Sequence, residues 1–468
     1  MLSLKQQKAI FVFLLLSASQ NIRADDSVPA ETVQRNLAAD IFYTLLDINT
    51  SNAFLNLGSR LASTSFAAAT FETIGENLYP TTWFWEDGDR FFINQFGHPY
   101  QGSTYFASAR INGFSFYESI AFAFIGSFQW EIMYERESSI NDSISTTFGG
   151  VALGEILHRL FLEADAAPSI GGKIGGFLIS PLEGFNAVYN RQKRETGGGN
   201  LYELTLKTGL EKSFTSFKGH QTESNSWRYP GAHLGVDAVY GNPFTQESWT
   251  PYNHFELNAK FTTNIASYHL QILSDGYIFS IPLSKTQRTV TSTGLTLHYD
   301  FFNATNDIID NTGYGNIQFA SDAFDWTIKQ GLFFSDVNIA IKVHAGLTFW
   351  GTSMYNGRFA TDSYLENTYA TYGIGENIKL FFRVSHKKAG TLALSATGYH
   401  IFNLPVTETH SAGNVLFLNT SAGYTFPITK RVGIGGEVRY WNLFGRYDDA
   451  ETVHRSLLST SIYAAIFF

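Results

Sequence analysis

The chain has 468 residues, enough for two or more domains, and no cysteine, which excludes disulfides, thiolate metal centres and a lipid-modified N-terminal cysteine. A formal net charge of -9 argues against a nucleic-acid partner, which calls for a basic face. Phe, Tyr and Gly number 42, 24 and 41 against 3 Met, and charged residues are only 16% of the chain, a balance suited to a wall of strands with aromatic girdles. At the N-terminus, Lys5 and Lys8 stand before and around a polar start, and the apolar run Ala9 to Leu16 is too short to span a bilayer. Ala24, just before Asp25-Asp26, is a plausible cleavage point. Positive start, apolar centre and small residue predict a secretory signal peptide over 1–24.

Residues 25–165 predict a helical domain. Glu31 to Leu46 and Ala53 to Leu78 repeat apolar positions at helical spacing. Two more helices are expected, from Thr104 to Glu135 with a break near Asn112-Gly113, and from Asp142 to Leu162. The stretch Phe116 to Tyr134 is nearly apolar enough for a membrane span, but Glu118, Gln129 and Glu131 interrupt it, and charge in hydrocarbon is costly. It is therefore expected to be buried in protein, either in a periplasmic bundle or inside a barrel lumen. From 166 to 198, Gly171, Gly172, Gly175 and Gly176 predict a flexible linker, with a defined turn from Ile179 to Asn186 leading to the first strand.

From 199 to 468 the period changes to two. Phe255, Leu257, Ala259 and Phe261 alternate with Glu256, Asn258 and Lys260; Leu295 to Phe301 alternate with Thr296, His298 and Asp300. Ile341 to Phe349 and Ile378 to Val384 repeat the pattern around Lys342, His344, Lys379 and Arg383. Each such strand has one apolar and one wet face. Connections alternate between tight (Ser335-Asp336, His386 to Gly390, Pro427 to Arg431) and long (Asn303 to Gly313, Ser353 to Thr368, Leu404 to Gly413, Gly445 to His454), the asymmetry of periplasmic turns and extracellular loops. The chain ends on a strand with Leu458, Thr460, Ile462, Ala464, Ile466 and Phe468 on one face, resembling the signal read by the outer-membrane barrel assembly machinery. The expected fold is an all-β transmembrane barrel of about twelve antiparallel strands, preceded by the helical domain, in the bacterial outer membrane. Because lipid cannot satisfy a free backbone amide, the last strand is expected to pair with the first, near Leu201 to Phe214.

The candidate site lies in the helical part. The runs GHPYQGS at Gly97 to Ser103, WEIMYE at Trp130 to Glu135 and NDSISTTFGGVALGE at Asn141 to Glu155 concentrate its polar chemistry. Together they resemble an uncharacterised bacterial envelope family, a domain of unknown function; the resemblance covers Trp83 to Leu162 and extends toward Gly241 to Phe244 and Pro251-Tyr252. It implies no reaction and no cofactor. Two readings of these residues stay open. In one they are structural, Arg110 pairing with Glu131 or Glu135 and His98 satisfying a neighbour. In the other His98, Glu131 and Glu135 are catalytic and Tyr100, Ser103, Arg110, Asp142 and Glu155 bind a lipid or glycan headgroup, His98 with a carboxylate forming an acid/base pair or metal site. No HExxH, GxSxG or cysteine nucleophile supports the second. A third reading is a gated channel for a small solute, lined by Glu256, Lys260, His298, Asp300, Lys342, His344, Lys379, Arg383, Glu437 and Arg439. The preferred expectation is an envelope protein with a structural role, its partners being outer-membrane lipid and the assembly machinery.

Overall fold

A computed structural model describes residues 36–61, 68–86, 90–189, 198–218, 223–228, 230–242, 247–264, 267–305, 316–356, 368–406 and 411–468. The expected signal peptide lies outside them. Among the described residues there are seven α-helices: α1 (Leu37–Leu61), α2 (Phe71–Asn77), α3 (His98–Ile111), α4 (Phe116–Met133), α5 (Ile140–Ala166), α6 (Ile170–Ile179) and α7 (Pro181–Tyr189). Their starts follow from side chains that satisfy free amides. Thr70 and Thr73 form a capping box on α2, Ser115 and Glu118 another on α4, and Ser139 and Ser169 accept from Asp142 N and Gly172 N. Gly113, at φ 95°, makes the turn between α3 and α4 where the break was expected. The stretch read as a flexible linker is instead α6 and α7: Ser169 caps the first, and its glycines pack against Ala167 and Phe161.

α3 and α5 approach closely because glycine removes the barrier. A Cβ on Gly102 would lie 1.8 Å from the Thr146 carbonyl oxygen, and one on Gly150 would lie 2.6 Å from the Gly102 carbonyl carbon. The small-xxx-small step thus serves twice: Gly150 lets the two backbones cross, and Gly154 makes room for the Phe106 side chain.

The strand segments are β1 (Leu201–Lys218), β2 (Glu223–Trp227), β3 (Gly231–Tyr240), β4 (Phe255–Thr263), β5 (Tyr268–Lys285), β6 (Thr289–Thr305), β7 (Ile317–Phe333), β8 (Val337–Asn356), β9 (Thr368–His386), β10 (Gly390–Asn403), β11 (Gly413–Pro427), β12 (Val432–Tyr447) and β13 (Val453–Phe467). β2 and β3 both pair with β1, opposite Phe214 to Lys218 and Leu201 to Glu211 respectively, so they are two pieces of one strand. Thirteen segments therefore make a twelve-strand antiparallel sheet, and β13 pairs with β1 from Thr205↔Phe467 to Lys218↔His454, closing it. The sheet closes on itself, which is what lipid demands of it.

The turns at 286–288, 334–336, 387–389 and 428–431 lie at one end, with the start of β1 and the end of β13; the strand ends at Thr305, Ile317, Asn356, Thr368, Asn403 and Gly413 lie at the other. Residues 247–254, at the short-turn end, run back along β5, where Ser248 bridges Ser280 and Tyr252 N donates to Tyr277 O.

The inner face carries its own filling. Toward the long-loop end, Phe217, Phe302, Phe319, Tyr399, Phe417, Trp441 and Leu457 from opposite walls meet in one apolar cluster; Phe319 and Phe417 stack with ring centroids 4.6 Å apart. Beneath it lie ion pairs that cross the lumen, Lys260 to Glu437, Lys379 to Asp300, and Arg439 to Glu211. A cavity of about 660 Å³ remains between this layer and the short-turn end, lined among others by Glu203, Lys207, Asp275, His298, Lys342 and Arg383.

The outer face is exposed and apolar over β10 to β13, with Leu392, Leu416, Ile434, Val438 and Ile462 open to the surroundings. On β5 to β9 the outward residues Tyr299, Phe301, Ala320, Trp350 and Tyr372 are buried instead, because the helical part packs on them. Phe91 stacks on Phe301, Trp85 meets Trp350 and Tyr372, Phe148 meets Phe349, and the Tyr299 hydroxyl donates to Gln95 O at 2.5 Å. At the short-turn end Glu163 accepts from the amides of Gly199 and Asn200. The helices thus lie obliquely against the outside of the wall. The alternative that placed them in the lumen is corrected: strand side chains already fill that space, and the alternation that turns His298, Asp300 and Phe302 inward turns Tyr299 and Phe301 outward.

Candidate functional site

His98 opens α3 directly after a π-helical turn, Ile93–Gly97, which rotates its imidazole toward α5. There Nδ1 lies 3.2 Å from Thr146 Oγ1 and Nε2 lies 4.0 Å from Asp142 Oδ2. Burial lowers the His98 pKa to about 4, so the ring is neutral at physiological pH. Asp142 sits in the first turn of α5, where the helix dipole favours its charge, and its Oδ1 accepts from Asn141 Nδ2 at 2.9 Å. Asn141 Oδ1 in turn accepts from Gln95 Nε2 at 3.1 Å. Of the expected constellation, then, His98 and Asp142 are brought together, with Thr146 and Asn141 as partners that the motif contained but the reading left out.

The other residues are arranged differently from the expectation. Arg110 does not pair with Glu131 or Glu135; it grips Glu155 through Nε at 2.7 Å and Nη2 at 3.3 Å, and also donates to Phe114 O at 2.7 Å. Arg159 approaches the same carboxylate from one helical turn away, at 2.8 Å, because positions four apart share a helix face. Burial raises the Glu155 pKa, yet the two guanidiniums outweigh it and hold the carboxyl below its ordinary value. Arg159 also reaches the barrel, donating to Pro251 O at 2.9 Å and lying over the Tyr240 ring at 5.4 Å.

Glu131 Oε2 accepts from Ser139 N at 2.7 Å, while its main-chain carbonyl accepts from Ser138 Oγ and Asn77 Nδ2. The Glu135 carbonyl also accepts from Asn77 Nδ2, at 3.1 Å. Burial above all, with Glu131 and Glu135 nearby, pushes the Tyr105 hydroxyl pKa up; that hydroxyl donates to Asn52 Oδ1 on α1. Ser103 Oγ donates to Tyr100 O at 2.6 Å rather than facing the imidazole, and Tyr100 is partly exposed, stacked on Phe96. The nominated triad of His98, Glu131 and Glu135 is therefore split between two hydrogen-bonded neighbourhoods. A further buried chain, Asn112 and Asn186 donating to Asp47 Oδ2 at 3.0 and 2.6 Å and His158 paired with Glu183 at 2.6 Å, joins α7 to the bundle.

The lumen holds the second polar centre. All ten inward charges read from the alternation point inward, and they are joined by Asp275, Asp325, Lys329 and Glu211, which the sequence reading did not single out. Lys342 binds Asp275 and, at 2.8 Å, Glu256; Lys329 donates to Glu256 at 2.5 Å; Arg383 grips Glu203 at 2.7 and 2.9 Å. Among the described residues, one group of imidazole and carboxylate atoms comes within metal-binding reach: His298, Asp325 and His344, all within 4.8 Å of one another and all buried.

No curated protein matches the sequence. Solved structures that align include the Pseudomonas putida toluene transporter TodX (9% identity, 56% of this chain and 89% of that one, TM-score 0.21), the NanC porin (9%, 54% and 98%, 0.22) and the translocator domain of the autotransporter NalP from Neisseria meningitidis (8%, 59% and 92%, 0.23). Overlaps this partial carry nothing about cargo, and the barrel assignment stands on the strand pairing above. Residues 82–182, which hold His98, Asp142, Glu155 and their partners, match the family model DUF3943, a domain of unknown function.

Proposed function

We propose that the chain is a structural protein of the bacterial outer membrane, its barrel a sealed anchor and its helical domain embedded in lipid against the barrel's outer wall. The observation that carries this reading is the exposed apolar face of the helices, which on α1 stands opposite a largely polar buried one. On α1 five of the six buried positions are polar, Asp40, Thr44, Asp47, Asn52 and Asn56 beside Ile48, while Phe42, Leu46, Leu57 and Leu61 are exposed and Phe54 is 74% exposed. α4 buries Ser119, Ser127 and Glu131 together with Phe116, Phe122 and Trp130, and exposes Phe124, Ile125 and Phe128; α6 exposes Ile170, Ile174 and Leu178. A helix in water buries the opposite face, and apolar surface left in water costs about 25 cal/mol per Å². The exposed helical face continues into the wall residues Phe324, Trp326, Ile328 and Leu347 beside it. No described helix is long and apolar enough to cross a membrane alone.

The filled lumen supports an anchor over a channel, and the engagement of Glu155, Glu131 and Asp142 with helix termini and arginines supports a structural role for the site. Because the chain lacks cysteine, single Cys at Phe54, Phe128 or Leu178 gives a clean test. In outer-membrane vesicles these thiols are expected to resist a water-soluble maleimide and to take a lipid-soluble one. Rapid labelling by the water-soluble reagent refutes the embedding. Loss of envelope-lipid hydrolysis in a folded His98→Ala variant would instead establish the enzyme reading.

A further inference from the structure

We propose that the barrel interior contains a binding site for one divalent first-row transition-metal ion, held by His298 on β6, Asp325 on β7 and His344 on β8. These three inward side chains come from adjacent strands, with His298 Nε2 at 3.1 Å from Asp325 Oδ2 and the two rings edge to face at a centroid distance of 4.8 Å. Two imidazoles and a carboxylate match the ligand preference of zinc, nickel, cobalt and copper ions and offer too few oxygens for calcium or magnesium. At metal–ligand bonds of about 2.0–2.1 Å, tetrahedral ligand atoms stand roughly 3.3 Å apart, so the widest pair here closes by rotation of the side chains rather than movement of strands.

Three observations point to a cation. Neither Asp325 Oδ2 nor His344 Nε2 makes a hydrogen bond of good geometry, although both are buried; the polar neighbours of Asp325 Oδ2 are His298 Nε2 at 3.1 Å and Lys379 Nζ at 3.7 Å, and that of His344 Nε2 is Asp275 Oδ2 at 3.2 Å. Lys379 is also shared between two carboxylates: it pairs with Asp300 and stands off from Asp325 Oδ2 at 3.7 Å. Finally, the outer atoms needed to orient the ligands are present. Asn377 Nδ2 donates to Asp325 Oδ1 at 2.9 Å, and Thr327 Oγ1 lies 2.6 Å from His344 Nδ1, fixing that ring so that Nε2 faces inward. Thr296 Oγ1 holds His298 Nε2 at 2.8 Å and is the contact that a metal would replace. An entry path exists, because His298 lines the cavity that opens at the short-turn end.

The experiment uses the full chain, purified in detergent without an affinity tag and stripped with chelator. Titration with Zn²⁺ is expected to show one tight equivalent, and Asp325→Asn and His344→Ala are each expected to weaken it at least about tenfold while the barrel keeps its heat-modifiable gel mobility. Absence of the equivalent, or its survival in both variants, overturns the proposal. Should the variants fail to assemble, one equivalent of Cu²⁺ on the unaltered protein decides: an electron paramagnetic resonance spectrum with two imidazole nitrogens supports the site, and any other ligand set overturns it.

Discussion

Replacing Glu155 by Gln tests how the helical domain is held to the barrel. The substitution keeps the shape and one acceptor but removes the charge between Arg110 and Arg159, whose side chains are 11% and 8% exposed around a fully buried carboxylate. Stripping one partner from a buried ion pair costs about 3–5 kcal/mol. The lower end applies here, because Arg110 keeps Phe114 O while Arg159 keeps Pro251 O and the Tyr240 ring. At 1.4 kcal/mol per factor of ten, about 3 kcal/mol raises the undocked population more than a hundredfold. The barrel has no share in this term beyond the Arg159 contacts and should be unaffected. Native-state proteolysis of the helical part is expected to accelerate in proportion, while heat-modifiable mobility of the barrel persists. Unchanged proteolysis would refute the assignment of Glu155 as the keystone of docking, and simultaneous loss of the barrel would refute the separation of the two parts.

Gly102→Ala places a Cβ 1.8 Å from the Thr146 carbonyl oxygen, so α3 and α5 must part; a destabilisation of at least about 1–3 kcal/mol is expected in chemical denaturation of the helical signal, whereas Gly75→Ala, with open space around it, should be silent. His98 has a folded pKa of about 4 against an ordinary 6.5, so the unfolded state binds the extra proton first: stability is full above about pH 6.5 and falls by up to about 3 kcal/mol toward pH 4. His98→Asn should flatten that part of the pH–stability profile measured by circular dichroism. Planar bilayers containing the unaltered protein should show no channel steps, and the double change Phe302→Ala with Trp441→Ala, which opens the aromatic cluster, should produce them.

The barrel was legible in the chain because its code is local. Alternation along a strand assigns each side chain to one of two faces, so residues such as Lys379 and Arg439 could be turned inward without knowing their partners, and tight and long connections could be sorted by eye. The polar motifs of the helical part were equally visible as residue types. Their partners were not. Glu155, rather than Glu131 or Glu135, meets Arg110 because glycine at 102 and 150 brings α3 and α5 into backbone contact, a three-dimensional register with no one-dimensional trace. The linker was misread for a related reason: glycine lowers intrinsic helix propensity, but packing of Gly172 on Ala167 and of Gly176 on Phe161 overrides it in α6. By itself the sequence determined the period of each half, and hence a closed sheet and a set of helices. Only the tertiary structure decided on which side of the wall those helices lie, since alternation names two faces without saying which of them a neighbouring domain covers.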